Sequence, residues 1–134
     1  EGYKIAMERR GKASFSSVVP GGLTDTTGYR AATKALEQKP TALFVANDIA
    51  AMGAIAAIEE AGLKVPEDIS VVGYDGISLG ALRSVNLTTI AQPLDDLGRL
   101  AAKSLVQRIN NPKSKSVHTR VLSKLVVRGT ARAL

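Results

Sequence analysis

Residues 40–76 read PTALFVANDIAAMGAIAAIEEAGLKVPEDISVVGYDG, and this stretch decides the fold. It holds two short apolar runs, ALFVA at 42–46 and ISVVGY at 69–74. Both are rich in β-branched or aromatic residues and lack strict polar alternation, the pattern of strands covered on both faces. Residues 49–61 between them have helical composition and length. A strand, a crossover helix and a second strand predict a right-handed parallel unit. Each run ends in polar residues, Asn47 and Asp48 after the first and Asp75 after the second. Open α/β sheets bind ligands beyond the carboxyl ends of their strands, so these three residues are the first candidates for function.

Working outward, residues 24–38 predict a helix with Thr24 as N-cap, Asp25 in its first turn and a stripe of Tyr29, Ala32 and Leu36. Pro40 closes it. Residues 1–10 predict another helix, with Ile5 inward beside Tyr3 or Met7 and Gly11 just past its end. A chain that starts in mid-helix reads as a piece of a longer one. Residues 16–19 form a short strand candidate broken by Pro20. Asn47 or Asp48 caps the central helix and Gly62 ends it. The helix surface is small-sided, and Gly53 costs about 1 kcal/mol of helix propensity relative to Ala, which points to close approach by a neighbour. That neighbour is either the chain's own sheet or, around Met52, a second subunit.

Beyond Asp75, residues 76–85 read as a short helix or turn and 87–91 as a strand. Residues 94–110 carry Leu97, Leu100, Ala101, Leu105 and Ile109, an amphipathic helix started by Pro93. Residues 120–127 read as a closing strand. Helices and strands alternate throughout, so the predicted class is α/β: an open, mostly parallel sheet with helices on both faces.

The bulk numbers bound the function. With 134 residues, 45% hydrophobic and 22% charged, the chain is globular rather than disordered. No apolar run approaches the ~18–20 residues of a membrane helix. The absence of Cys excludes disulfides and thiolate metal sites and fits a reducing cytoplasm. Net charge is +6, but Lys and Arg are dispersed, and two Phe, three Tyr and no Trp do not make a base-stacking platform. His118 is the one histidine, so neither a metal site nor a Ser-His-Asp arrangement is indicated. No phosphate-loop glycine motif occurs. Asp75 as a phosphoacceptor would need further acidic residues to hold a metal; the reading is not an enzyme. Binding suits the residues better. An Asn amide offers donor and acceptor and an Asp carboxylate accepts twice, which fits a small polyhydroxylated or heterocyclic ligand. Of Asn47 and Asp48, one is expected to cap the helix and the other to face the ligand.

Four motifs in order, FVAND at 44–48, VPEDISVVGYD at 65–75, LTTIAQP at 87–93 and LVVR at 125–128, resemble the LacI family of bacterial transcriptional regulators. The likeness runs from GYKIAM near the start to VVRGT near the end. It implies the periplasmic-binding-protein-like fold of type I and places this chain in the C-terminal part of the effector domain. Residues 1–93 and 121–134 would form the C-terminal effector subdomain, incomplete at its start. Residues 94–120 would be a crossover helix segment that packs on the absent N-terminal subdomain.

The resemblance implies effector contacts at Leu23, Asn47, Asp75, Gln92 and Leu94, and a dimer interface around Met52 and Arg83. Leu23 stands where an aromatic residue often stacks on a sugar, and Gly76 where a second Asp is common. The implied partners are a small-molecule effector (a sugar or nucleoside-like molecule), DNA only through a helix-turn-helix outside this chain, and another copy in a homodimer or higher oligomer. No cofactor, metal or membrane is implied. The implied location is cytoplasmic. The alternative is part of a periplasmic sugar-binding protein of a transport system.

Overall fold

Thr24 opens the packed part of the chain. Its hydroxyl accepts from the Thr27 amide, and the Thr24 amide donates back to the Thr27 hydroxyl at 3.1 Å. This reciprocal cap satisfies donors that a helix start leaves free. The computed structural model describes residues 1–133. Ahead of Thr24 lie α1 (Gly2–Arg9), which buries no residue, and a 3-10 turn at Ala13–Phe15. Ile5, expected inward, is exposed, while Tyr3 and Met7 are half-buried. The short turn is the main surface α1 has to pack on. Gly11 takes φ +64 just past the helix end, the conformation that favours glycine.

α2 (Asp25–Leu36), β1 (Ala42–Phe44), α3 (Asp48–Glu60) and β2 (Ser70–Asp75) follow. β1 and β2 pair in parallel with Leu43 opposite Val71. β2 pairs in parallel with β3 (Thr88–Ala91), Asp75 lying opposite Ala91. After α4 (Leu94–Asn110), the chain returns as β4 (Lys124–Val126), antiparallel to β3. The sheet order is β1-β2-β3-β4, the open, mostly parallel α/β arrangement that the sequence predicts.

The core lies between α3 and the sheet. Ala51, Ile58, Ile69, Val71 and Leu87 are each at most 3% exposed, and burying an Ile, Val or Leu side chain contributes roughly 1.5–3 kcal/mol. A second cluster, Ala32, Ala54 and Ala57, joins α2 to α3. Here the small residues have a concrete use. A Cβ on Gly28 would overlap the Ala50 carbonyl, and one on Gly53 would overlap the Asp25 carbonyl. The two helices therefore meet backbone to backbone, and the neighbour that Gly53 admits is α2. Val72 and Tyr74, which alternate with buried Val71 and Gly73 along β2, are half-buried.

Two strand expectations change. Residues 16–19 are not a strand: Ser16 is extended, but no ladder partner is present among the described residues. Backbone pairing needs a second chain segment, which local sequence does not supply. The closing strand shrinks from 120–127 to Lys124–Val126. Its continuation ties the sheet by other means. The Val71 amide donates to the Thr130 carbonyl at 2.7 Å, while the Thr130 hydroxyl donates to the Val71 carbonyl and accepts from the Thr88 amide, both at 2.8 Å. Thr130 thus bridges β2 and β3 just ahead of their own ladder.

α4 has the predicted length and the bare apolar stripe expected of a helix whose packing partner lies outside this chain. It buries no residue, and Leu105 and Ile109 are 62% and 66% exposed.

Candidate functional site

Asn47 and Asp48 are adjacent in sequence and opposite in role. β1 ends at Phe44, and the chain turns into α3 with Asn47 as the extended N-cap. Its Oδ1 accepts from the Ala50 amide at 2.8 Å, while its Nδ2 donates to the Leu23 carbonyl at 3.0 Å. One amide hydrogen and one lone pair remain for a ligand. Leu23 itself is held by its backbone, and its side chain is 65% exposed.

Asp48 does not face the ligand side, which corrects the division of labour expected for this pair. It is the first residue of α3, and its carboxylate is fully buried. Oδ2 accepts from the Gly76 and Ile77 amides at 2.9 and 2.8 Å, and Oδ1 from the Thr89 hydroxyl at 2.5 Å. A buried carboxylate is tolerated because its lone pairs are met this way. Gly73 makes the room, since a Cβ there would overlap Asp48 Oδ1.

Asp75 closes β2 in the left-handed half of backbone space, φ +107, and Gly76 follows at φ +78. Its Oδ1 accepts from Gln92 Nε2 at 2.7 Å, and its carbonyl accepts from the Gln92 amide at 3.0 Å. The Gln92 carbonyl accepts from the Leu94 amide, and the Leu94 side chain is 60% exposed. Asp75 Oδ2 takes no hydrogen bond among the described residues.

The five residues named as effector contacts fall into two bonded groups, Leu23 with Asn47 and Asp75 with Gln92 and Leu94. Both sit at the carboxyl ends of neighbouring strands, and Asp48 joins them underneath. Asn47 contributes unused donor and acceptor capacity, and Asp75 an unused carboxylate oxygen. Nothing cationic takes part in these bonds, so the arrangement suits an uncharged, hydrogen-bonding ligand better than an anion. Among the described residues, no cluster of His, Cys, Asp and Glu is arranged to hold a metal ion. None of the described helices is long and apolar enough to cross a membrane.

Met52 and the loop carrying Arg83 lie elsewhere. Met52, Ile55, Glu59, Val65, Val85 and Thr130 line a shallow groove of about 310 Å³ that also takes in Ser84, next to Arg83. The groove runs along the flank of α3, away from the strand tips. Sequence reading singles out Asp48 as a cap or ligand contact rather than a brace, and does not single out Thr89 or Thr130. A glycine inside an otherwise apolar strand signals close approach by another group, and Gly73 was that signal.

Comparison with known proteins fits this geometry. The model of the periplasmic binding protein-like domain matches residues 1–131. Over 130 residues the chain is 42% identical to the HTH-type transcriptional repressor PurR of Escherichia coli O1:K1 / APEC, covering 92% of this chain and 38% of that protein. A LacI transcriptional regulator from a Rhodococcus species superposes with a TM-score of 0.91 at 35% identity, over 97% of this chain and 48% of that one. A LacI family transcriptional regulator from Enterococcus faecium with bound ribose gives a TM-score of 0.87 at 32% identity, over 100% of this chain and 50% of that one. The complex of the transcriptional regulator CelR with cellobiose gives a TM-score of 0.86 at 28% identity, over 97% and 41%. The chain spans 38% of the length of the curated relatives it matches. A family model that matches nearly the whole of this chain, and regulators of one kind among both sequence relatives and structural neighbours, lead to one conclusion: the chain belongs to the periplasmic binding protein-like domain family, as part of a LacI-family effector domain.

Proposed function

We propose that this chain is the effector-sensing and dimerising part of a LacI-type transcriptional regulator, and that Leu23, Asn47, Asp75, Gln92 and Leu94 form one wall of its effector cleft. The observation that carries the reading is the pair of strand-tip side chains with unspent hydrogen-bonding capacity, Asn47 and Asp75. Two structural neighbours were solved with ribose and cellobiose, and their chemistry, uncharged and rich in hydroxyls, matches what these two residues offer. The opposite wall belongs to a first subdomain outside this chain. The exposed apolar side chains of α4 pack on that subdomain, so that 94–120 is the crossover between the two. Effector then favours one closure state of the subdomains and changes the affinity of a separate helix-turn-helix for its operator, by as much as it discriminates between those states. The groove beside Met52 and Arg83 is the homodimer contact. The protein is not an enzyme and works in the cytoplasm, where its operator is.

The test is calorimetry on the whole protein with ribose, cellobiose and adenosine, together with Asp75→Ala. One of the three binding, with loss of that binding in the variant and a change in operator retention on a gel, is the expected result. Binding that ignores Asp75→Ala would refute this assignment of the site.

A further inference from the structure

We infer that Asp48 is the positioning residue of the effector site: its buried carboxylate holds the tip of β2 in the strained backbone form that aims Asp75. The inference rests on the reading above that Asp75 meets effector, and adds a residue that itself never touches the ligand.

Asp75 takes φ +107 and Gly76 φ +78, two successive residues in the left-handed half of backbone space. A non-glycine residue stays in such a region only where its surroundings over-determine it. The surroundings here are specific. The two amides that follow Asp75, those of Gly76 and Ile77, converge on one oxygen of Asp48. Successive N–H groups at a turn can converge on one anion, and here the anion is the chain's own carboxylate. The other oxygen is fixed by the Thr89 hydroxyl on β3. Position 76 is pressed against β3, since a Cβ there would overlap Ala91. The tip cannot relax toward β3, and Asp48 keeps it from relaxing away. On the side chain of Asp75, Gln92 adds the second hold.

Of the three groups that Asp48 binds, the Thr89 hydroxyl lies within β3. The other two, the Gly76 and Ile77 amides, lie immediately beyond the ligand-facing residue. Its position as the first residue of α3 adds the favourable field of the helix start to the carboxylate.

Two variants of the whole protein separate positioning from stability. Asp48→Asn keeps volume and an acceptor but removes the charge that strengthens both tip bonds. Thr89→Val removes the third partner and leaves the tip bonds alone. Hydrogen exchange at the Gly76 and Ile77 amides, and a crystal structure reading φ at Asp75, need no ligand. Expected in Asp48→Asn is exchange faster by on the order of tenfold, the scale of a charge-assisted bond replaced by a neutral one. Thr89→Val should leave both amides protected although it lowers the melting temperature. Ribose affinity should fall with the first variant and hold with the second. Wild-type protection and φ in a folded Asp48→Asn, or equal loss in both variants, overturns the inference. Failure of ribose to bind the unmodified protein would weigh on the effector reading alone, because the amide and backbone results stand without it.

Discussion

Asn47 reaches back across the chain to the carbonyl of Leu23 at 3.0 Å while its own oxygen starts α3. One side chain therefore fixes both the loop before α2 and the helix after β1. Asn47→Ala should lower unfolding stability by roughly 1–2 kcal/mol, the usual range of a lost N-cap. Asn47→Asp retains the capping oxygen and lacks the donor to Leu23. It should cost less in a urea melt yet loosen residues 20–24, which hydrogen exchange would register. Equal destabilisation by both would mean that the Leu23 bond dominates.

The α2–α3 contact has no slack. Gly53→Ala places a methyl group into the Asp25 carbonyl, and Gly28→Ala one into that of Ala50. Alanine is ordinarily better than glycine inside a helix by about 1 kcal/mol. Here the sign should reverse. Each variant should lose at least the ~1–3 kcal/mol typical of overpacking, whereas Ala56→Gly, on the exposed side of α3, should lose only the propensity term. Urea unfolding of the three side by side decides the matter; a neutral Gly53→Ala would mean the helices do not meet as described.

Thr130 has a hydroxyl that both donates and accepts between strands. Thr130→Val preserves shape and strips that oxygen, leaving the Thr88 amide unmet in a buried position. The expected loss is about 1–3 kcal/mol. Thr130→Ser, which retains the hydroxyl, should lose clearly less. Thermal melts of the pair test this, and a more stable valine variant would contradict it.

Tyr29 gives the chain a pH signature. Its hydroxyl donates to Glu60 Oε2 at 2.7 Å, joining α2 to α3. That bond, with a smaller effect of burial and the adjacent carboxylate charge, raises the phenol above its ordinary value of 10.0. A raised value in the folded state means the folded chain holds its proton longer than the unfolded one. The contribution to stability is therefore whole below pH 10 and is lost as pH climbs through the folded value. Ultraviolet titration should show the Tyr29 phenol ionising late, and Glu60→Gln should advance it.

Much of this is readable in the chain itself. The start of α2 at Thr24, the start of α4 beyond Pro93 and the parallel β1–α3–β2 unit are set by caps, breakers and periodicity within a few residues. The placement of Asn47 and Asp75 at or just past strand ends was legible because a strand end is a local event. What could not be read is whatever depends on a distant partner. The difference between Asn47 and Asp48 is one of these: both are helix-start residues by type, and only the sheet beneath α3 makes one a cap and the other a brace. The unpaired segment 16–19 and the shortened β4 fail for a related reason. A strand is defined by what lies beside it, and composition does not say whether anything does.

Thr130 lies 59 residues from Val71 and 42 from Thr88, yet it supplies the link between the starts of β2 and β3. A ribosome releases those strands long before it releases the threonine. Until then the nascent sheet has an open seam at its amino end, and the interval is one in which chaperone capture and strand mispairing compete with closure. Loss of Thr130 would thus injure the β2–β3 pair, far from the change in sequence and next to it in space.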